Sequence, residues 1–114
     1  ELVAKIAGLR YNKDGPVLVL TKEDLGFGKQ FSTENKIEDS DFVVGLNTGA
    51  GKRWPLKKWG VENTAKLAKE LGSKGVKVIL FGGRDEEERN DLLKSICKKK
   101  EWIIEGTFWR WIEP

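Results

Sequence analysis

The sequence predicts an α/β fold built on a parallel sheet, and three observations carry that prediction. Two near-continuous apolar runs, Phe42-Val43-Val44-Gly45-Leu46 and residues 76–81, lack the polar alternation of a half-exposed strand and read as strands buried on both faces. Each runs into glycine and then into a segment of helical spacing. A third apolar run, Trp102-Ile103-Ile104, follows the second such segment. Strand, helix, strand, helix, strand at these short spacings calls for right-handed crossovers and so for parallel pairing.

Taken in order, residues 2–9 form a short helix or the end of a linker, and Tyr11-Asn12-Lys13-Asp14-Gly15-Pro16 reads as a turn. Val17-Leu18-Val19-Leu20 is apolar and partly β-branched, which predicts a strand. Residues 22–41 are polar and contain glycines, with Phe27 and Phe31 as the only large apolar groups, and read as loop with one helical turn. After the first buried strand, Pro55 suits a first helical turn, and Trp59, Leu67, Ala68 and Leu71 follow at roughly helical spacing up to the stop signals Gly72 and Gly75, with Gly60 a local weak point. Residues 85–100 form the second helix, acidic at its start and basic at Lys98-Lys99-Lys100, as the helix dipole favours. Residues 1–41 are therefore a lead-in or interdomain segment, and residues 42–114 part of the α/β domain.

Composition narrows the function classes. With 114 residues and a 39% hydrophobic fraction, one modest soluble domain is the ceiling. The net charge of +3 is a small difference between 21 basic and 18 acidic residues that alternate along the chain, which argues against a nucleic-acid strip, including one at residues 98–100. The chain has no histidine and a single cysteine, so imidazole bases, cysteine-cluster metal sites and intrachain disulfides are absent from it. Cys97, inside the second helix, reads as inert filler. No apolar run is long enough to span a bilayer, and a cytoplasmic protein is expected. A chain that opens on Glu1 rather than Met is expected to be a fragment of a longer protein.

In such sheets ligands bind beyond the carboxyl ends of the strands, here at residues 47–54 and 82–86. The first of these, Asn47-Thr48-Gly49-Ala50-Gly51-Lys52-Arg53-Trp54-Pro55, combines glycines that let backbone amides approach a phosphate with two cations. It is not a P-loop, because Leu46 stands where the first glycine belongs and Arg53 where Ser or Thr belongs. It is not a dinucleotide fingerprint either, since Trp54 occupies the third glycine position. On its own the segment reads equally as a tight turn with solvated Lys52 and Arg53.

The whole run, apolar strand, Asn-Thr-Gly-Ala-Gly-Lys-Arg-Trp-Pro, helix, apolar strand, then Gly82-Gly83-Arg84-Asp85-Glu86-Glu87-Glu88-Arg89, resembles the family 9 glycosyltransferases, the bacterial lipopolysaccharide heptosyltransferases. The similarity runs from about residue 43 to residue 93, with Gly106-Thr107 echoing a later turn. It implies a Rossmann-like half of a two-domain GT-B architecture that grips a nucleotide-activated heptose, usually ADP-heptose, without a required metal or cofactor. By that resemblance Asn47, Thr48 and Gly49 belong to the loop that meets the sugar diphosphate, Lys52 is the phosphate-binding lysine, and Glu86 lies near the nucleoside. As a bare pattern, Glu86 is equally part of an ordinary acidic helix start. Trp54 is expected to wedge the loop against the helix, and Trp59 to lie on the helix's buried face. The family's later donor-site loop and the catalytic carboxylate of its other domain have no counterpart in the chain, so no catalytic residue is assigned. Phe108-Trp109-Arg110-Trp111 matches nothing in the family and reads as cover for a sheet edge or as an association surface.

The resemblance thus implies the donor-binding part of an inverting transferase that moves heptose from ADP-heptose to a lipopolysaccharide core acceptor, inactive by itself and peripheral to the inner membrane when whole. The alternative is a stand-alone α/β module that binds a nucleotide or a protein and performs no chemistry.

Overall fold

The structure is a computed structural model that describes residues 2–8, 10, 15–50 and 53–106. Chain contacts divide it into two units, the first ending at Phe31 and the second beginning at Ser32.

The first unit contains α1 (Leu2–Ile6) and most of α2 (Lys22–Glu34). The expected strand over residues 17–20 does not form, and these four apolar residues are exposed. A strand needs a neighbour to take its backbone hydrogen bonds, and β-propensity alone supplies none. The expected loop over residues 22–41 is instead largely the thirteen-residue α2. Its start is a reciprocal cap. The Thr21 hydroxyl accepts the Asp24 amide at 3.1 Å while the Asp24 carboxylate accepts the Thr21 amide at 2.7 Å, the capping-box arrangement of a Thr-x-x-Asp sequence. Phe27 and Phe31, four apart on one side of this helix, stack with ring centres 6.3 Å apart.

The second unit holds a three-stranded parallel sheet of order β1 (Val43–Asn47), β2 (Lys77–Phe81), β3 (Ile103–Gly106). Val44 pairs with Val78 and Leu46 with Leu80, and Val78 in turn pairs with Ile103. These five strand positions share one face because side chains alternate. The crossovers are α3 (Val61–Ser73) and α4 (Glu87–Ile96). Two successive right-handed crossovers in one direction put both helices on the same face, and the core is what they enclose: Ala65, Ala68, Val78, Leu80, Leu93, Cys97 and Ile103. The opposite face carries Val43, Ile79, Phe81 and Ile104, so the strands are apolar on both sides, as their unbroken apolar runs require.

Helix boundaries differ from expectation at both starts. Pro55 opens a separate 3₁₀ turn, Pro55–Lys57, and α3 begins at Val61 with Gly60 as its N-cap. Gly60 therefore marks the helix start rather than a weak interior point. Likewise a 3₁₀ turn, Arg84–Glu86, precedes α4. Cys97, at the end of α4, is buried against the Ala65 carbonyl, and burial pushes its thiol above the usual range.

The two helices end alike. After α3, Val76 N–H reaches back to the Leu71 carbonyl and Gly75 N–H to that of Gly72, with Gly75 at φ 78°; this is the Schellman arrangement. After α4, Lys99 N–H bonds the Lys94 carbonyl and Lys98 N–H that of Ser95, but the left-handed position that glycine fills after α3 is here Lys98 at φ 57°, followed by Lys99 at φ 46°. A side chain there costs what glycine avoids. Lys98→Gly is therefore expected to raise stability by about 1 kcal/mol, read as a shift of the urea midpoint.

The start of β2 is tied by charge. Asp41 accepts the Glu38 amide at 2.7 Å and pairs with Lys77 at 2.6 Å. The Glu38 amide first, and Lys77 second, hold its carboxyl below the usual range. A depressed folded-state value means stability that is present above the unfolded value, near pH 3.9, and lost as pH falls through the folded one. Asp41→Asn is expected to be less stable than the parent at neutral pH and indistinguishable from it in strong acid, measured by urea unfolding at both.

Candidate functional site

The site is built where β1 and β2 end. Beyond Asn47 the chain keeps its pairing for one more residue: Thr48 N–H donates to the Phe81 carbonyl at 3.0 Å. The Thr48 hydroxyl lies 3.0 Å from the same carbonyl and 2.6 Å from Asn90 Oδ1 on α4. One hydroxyl proton serves one of these acceptors. Thr48 is 4% exposed and Asn90 is fully buried, so this small polar contact lies inside the fold. The next residue turns the chain outward, Gly49 N–H donating to Asn47 Oδ1 at 3.0 Å, an Asx-type turn.

Glu86 closes the arrangement from the other loop. It ends the 3₁₀ turn before α4 and is 5% exposed. Oε2 accepts Gly83 N–H at 3.1 Å, half of a capping box, and Oε1 accepts Lys58 Nζ at 2.8 Å. Gly49 lies directly over the carboxylate: a Cβ there would come within 2.7 Å of Glu86 Cδ and 2.9 Å of Oε2. One buried side chain thereby joins the turn after β1, the segment before α3 and the turn after β2. A buried carboxylate is tolerated only when paired and hydrogen-bonded, and both conditions are met.

Of the residues singled out in the sequence, Asn47, Thr48, Gly49 and Glu86 are brought together here. Lys52 lies outside the described residues, as do Gly51 and Phe108-Trp109-Arg110-Trp111. The two tryptophans are not where the pattern put them. Trp54 is 54% exposed, with Arg53 at 5.9 Å and Lys57 at 4.8 Å over its ring, cation–π contacts rather than a wedge. Trp59 precedes α3 and is 56% exposed; its carbonyl accepts from Arg89 Nη2. The helix that was to bury it starts two residues later, which is the physical reason.

Lys58 and Asn90 are the functional-site residues that the pattern did not single out. Asn90 had a readable signal, a polar residue one turn into α4 on the side that carries Leu93. Lys58 had none, being one of four basic residues within residues 52–58. A cavity of about 120 Å³ beside the turn is lined by Asn47, Thr48, Trp59, Thr64, Leu67 and Arg89. A larger one, about 570 Å³, opens at the other end of the sheet by Lys36, Lys77 and Trp102, away from the strand ends where ligands of such sheets sit. Among the described residues no group of three or more carboxylate or cysteine side chains converges as a metal site would.

The sequence profile of glycosyltransferase family 9 (heptosyltransferase) matches residues 1–106. The chain belongs to that family. Its fold is similar to that of the family 9 glycosyltransferase of Veillonella parvula DSM 2008, with a TM-score of 0.74 at 24% identity over 93% of this chain. It is also similar to the ADP-heptose lipopolysaccharide heptosyltransferase II of E. coli, with a TM-score of 0.66 at 21% identity over 89% of the chain. No curated relative matches. In each case the chain spans 30% of the length of the solved structure. The Rossmann-like parallel sheet with flanking helices is thus one part of a larger glycosyltransferase architecture, and the family 9 match reaches from residue 1 to the end of β3.

Because Gly49 rests on the Glu86 carboxylate, Gly49→Ala must push that carboxylate away from Gly83 or Lys58. The expected result is a loss of about 1–3 kcal/mol in urea unfolding, the range of an overpacked site.

Proposed function

We propose that the chain is the donor-binding part of a glycosyltransferase that moves heptose from ADP-heptose to a lipopolysaccharide core acceptor. In this reading residues 42–114 are part of the nucleotide-sugar-binding domain and residues 1–41 lead into it. The observation that carries it is the turn after β1, a glycine-containing segment at the carboxyl end of a parallel sheet, pinned from behind by Thr48 and Glu86 and followed in sequence by Lys52 and Arg53. Family 9 membership and the heptosyltransferase name of the E. coli neighbour favour this substrate class.

The chemistry asked of these residues is modest. In transfer to an acceptor hydroxyl, the bond from the anomeric carbon to the diphosphate breaks as the new glycosidic bond forms, and charge collects on the leaving diphosphate. The Ala50 backbone amide and the Lys52 ammonium would meet that charge, the kind of preorganised stabilisation worth most in transition states. Asn47 shapes the turn by accepting the Gly49 amide, and Thr48 holds its base. Glu86 serves the nucleoside side: its two oxygens retain lone pairs beyond those used by Lys58 and Gly83, the acceptors a ribose hydroxyl needs. No cofactor is required. The whole enzyme works at the cytoplasmic side of the inner membrane, where its donor and its lipid-linked acceptor meet.

Addition of millimolar ADP is expected to shift the backbone amide resonances of Thr48, Gly49, Ala50 and Lys52 in the intact protein, and Lys52→Ala to lower kcat/KM about 10²-fold. Resonances that stay still, or full activity in Lys52→Ala, would show that this turn is not the diphosphate site.

A further inference from the structure

The turn proposed to hold a diphosphate sits on a buried acid. Glu86 is 5% exposed, and the Gly49 backbone rests against its carboxyl carbon. A negative charge directly beneath the amides opposes any anion drawn to them from above. Burial removes the water and salt that would damp the repulsion. A glycine turn over an unneutralised carboxylate would therefore be a poor phosphate site, whatever its amide geometry.

The structure supplies one neutralising group. Lys58 Nζ lies 2.8 Å from Glu86 Oε1, with the lysine side chain 22% and the glutamate side chain 6% exposed. Among the described residues Lys58 is the only ion-pair partner of Glu86. Its place in the chain is fixed independently: Lys58 N–H bonds the Pro55 carbonyl at the end of the 3₁₀ turn. The lysine thus arrives from the segment immediately after the glycine turn and reaches back under it.

We propose that Lys58 is a charge-compensating residue of the donor site, whose pairing with Glu86 lets the Gly49-Ala50 turn accept the diphosphate of a nucleoside diphosphate. The inference rests on the reading of this turn as the diphosphate site. Lys58 acts through Glu86, so it is a positioning residue. The charge it compensates acts on the diphosphate, so its effect appears in the ratio of affinities for ligands with and without that group, from which a ribose contact with Glu86 cancels. A lysine that only tied two loops together would affect both ligands alike.

The test is a double-mutant cycle on the intact protein, with ADP and adenosine as paired ligands and the ratio of their affinities as the readout. Lys58→Met leaves the acid uncompensated and is expected to lower the ADP-to-adenosine ratio about tenfold, the scale of one nearby, partly screened charge. Adding Glu86→Gln to Lys58→Met removes the remaining charge while keeping an acceptor for the Gly83 amide. That double variant should regain the wild-type ratio. Should Lys58→Met not fold, Glu86→Gln alone still decides, because it leaves Lys58 uncompensated and should raise the ratio about tenfold above the wild type.

An unchanged ratio in Lys58→Met, or a double variant as poor as Lys58→Met, overturns the compensation role. Failure of the wild type to bind ADP overturns the diphosphate reading of the turn, and the inference with it. Normal ADP binding with an insensitive ratio overturns the inference alone.

Discussion

The pairing between β1 and β2 does not stop at the last residues of the two strands, and the geometry of the site depends on that extra step. Thr48 donates its amide to the Phe81 carbonyl at 3.0 Å and places its hydroxyl 3.0 Å from the same oxygen. The ladder thereby fixes the point from which the glycine turn departs. Because side chains alternate along a strand, a one-residue slip would throw Thr48 to the opposite face of the sheet and remove it from Asn90. The fully buried side chains of Val78 and Leu80 resist such a slip. Core packing on the helix side therefore governs the position of backbone groups at the sheet's end.

The second constraint is electrostatic. Glu86 lies in an acidic stretch, Asp85 to Glu88, whose ordinary role would be to favour the start of a helix from solvent. Here one of the four turns inward and is all but buried, with the Gly83 amide and Lys58 as partners. A buried ion pair adds little net stability once desolvation is counted, yet breaking it by removing one partner is expensive. What such a pair does reliably is specify an arrangement. It links three segments that the sheet holds only at their origins, and it sets the charge beneath Gly49.

Much of the second unit was legible in the sequence for reasons that can be named. β1, β2 and β3 are apolar runs covered by helices on one face, while on the other face Val43, Gly45 and Asn47 of β1 are exposed rather than buried as expected. The ends of α3 were marked by Gly60 and Gly75, although Gly60 was read as a flaw rather than as a cap. Residues 17–20 misled because their β-branched, apolar character describes what a strand likes and not whether a partner strand is beside it. Residues 22–34 misled in the opposite sense. Gly26 and Gly28 masked a helix whose true signal was the Thr21 and Asp24 cap. The resemblance over residues 43–93 named the family, and the family match extends it to residues 1–106. Which way Thr48 and Glu86 face was not legible, since a motif records residue type and spacing, and burial depends on what the other loop brings against it.

The two halves of the site respond differently to their surroundings. The Thr48 half is neutral, made of hydrogen bonds to a carbonyl and an amide, and neither salt nor pH acts on it over the range where proteins are folded. The Glu86 half is charged but mostly buried, with Lys58 only 22% exposed, so ions in solution screen it far less than they screen an exposed pair such as Lys36 and Glu101. A turn fixed by backbone pairing on one side and by a shielded ion pair on the other is held in place by the protein itself. Preorganisation of this kind matters most for a group that must meet charge as it develops, because donors already aligned need no rearrangement at the moment the charge appears.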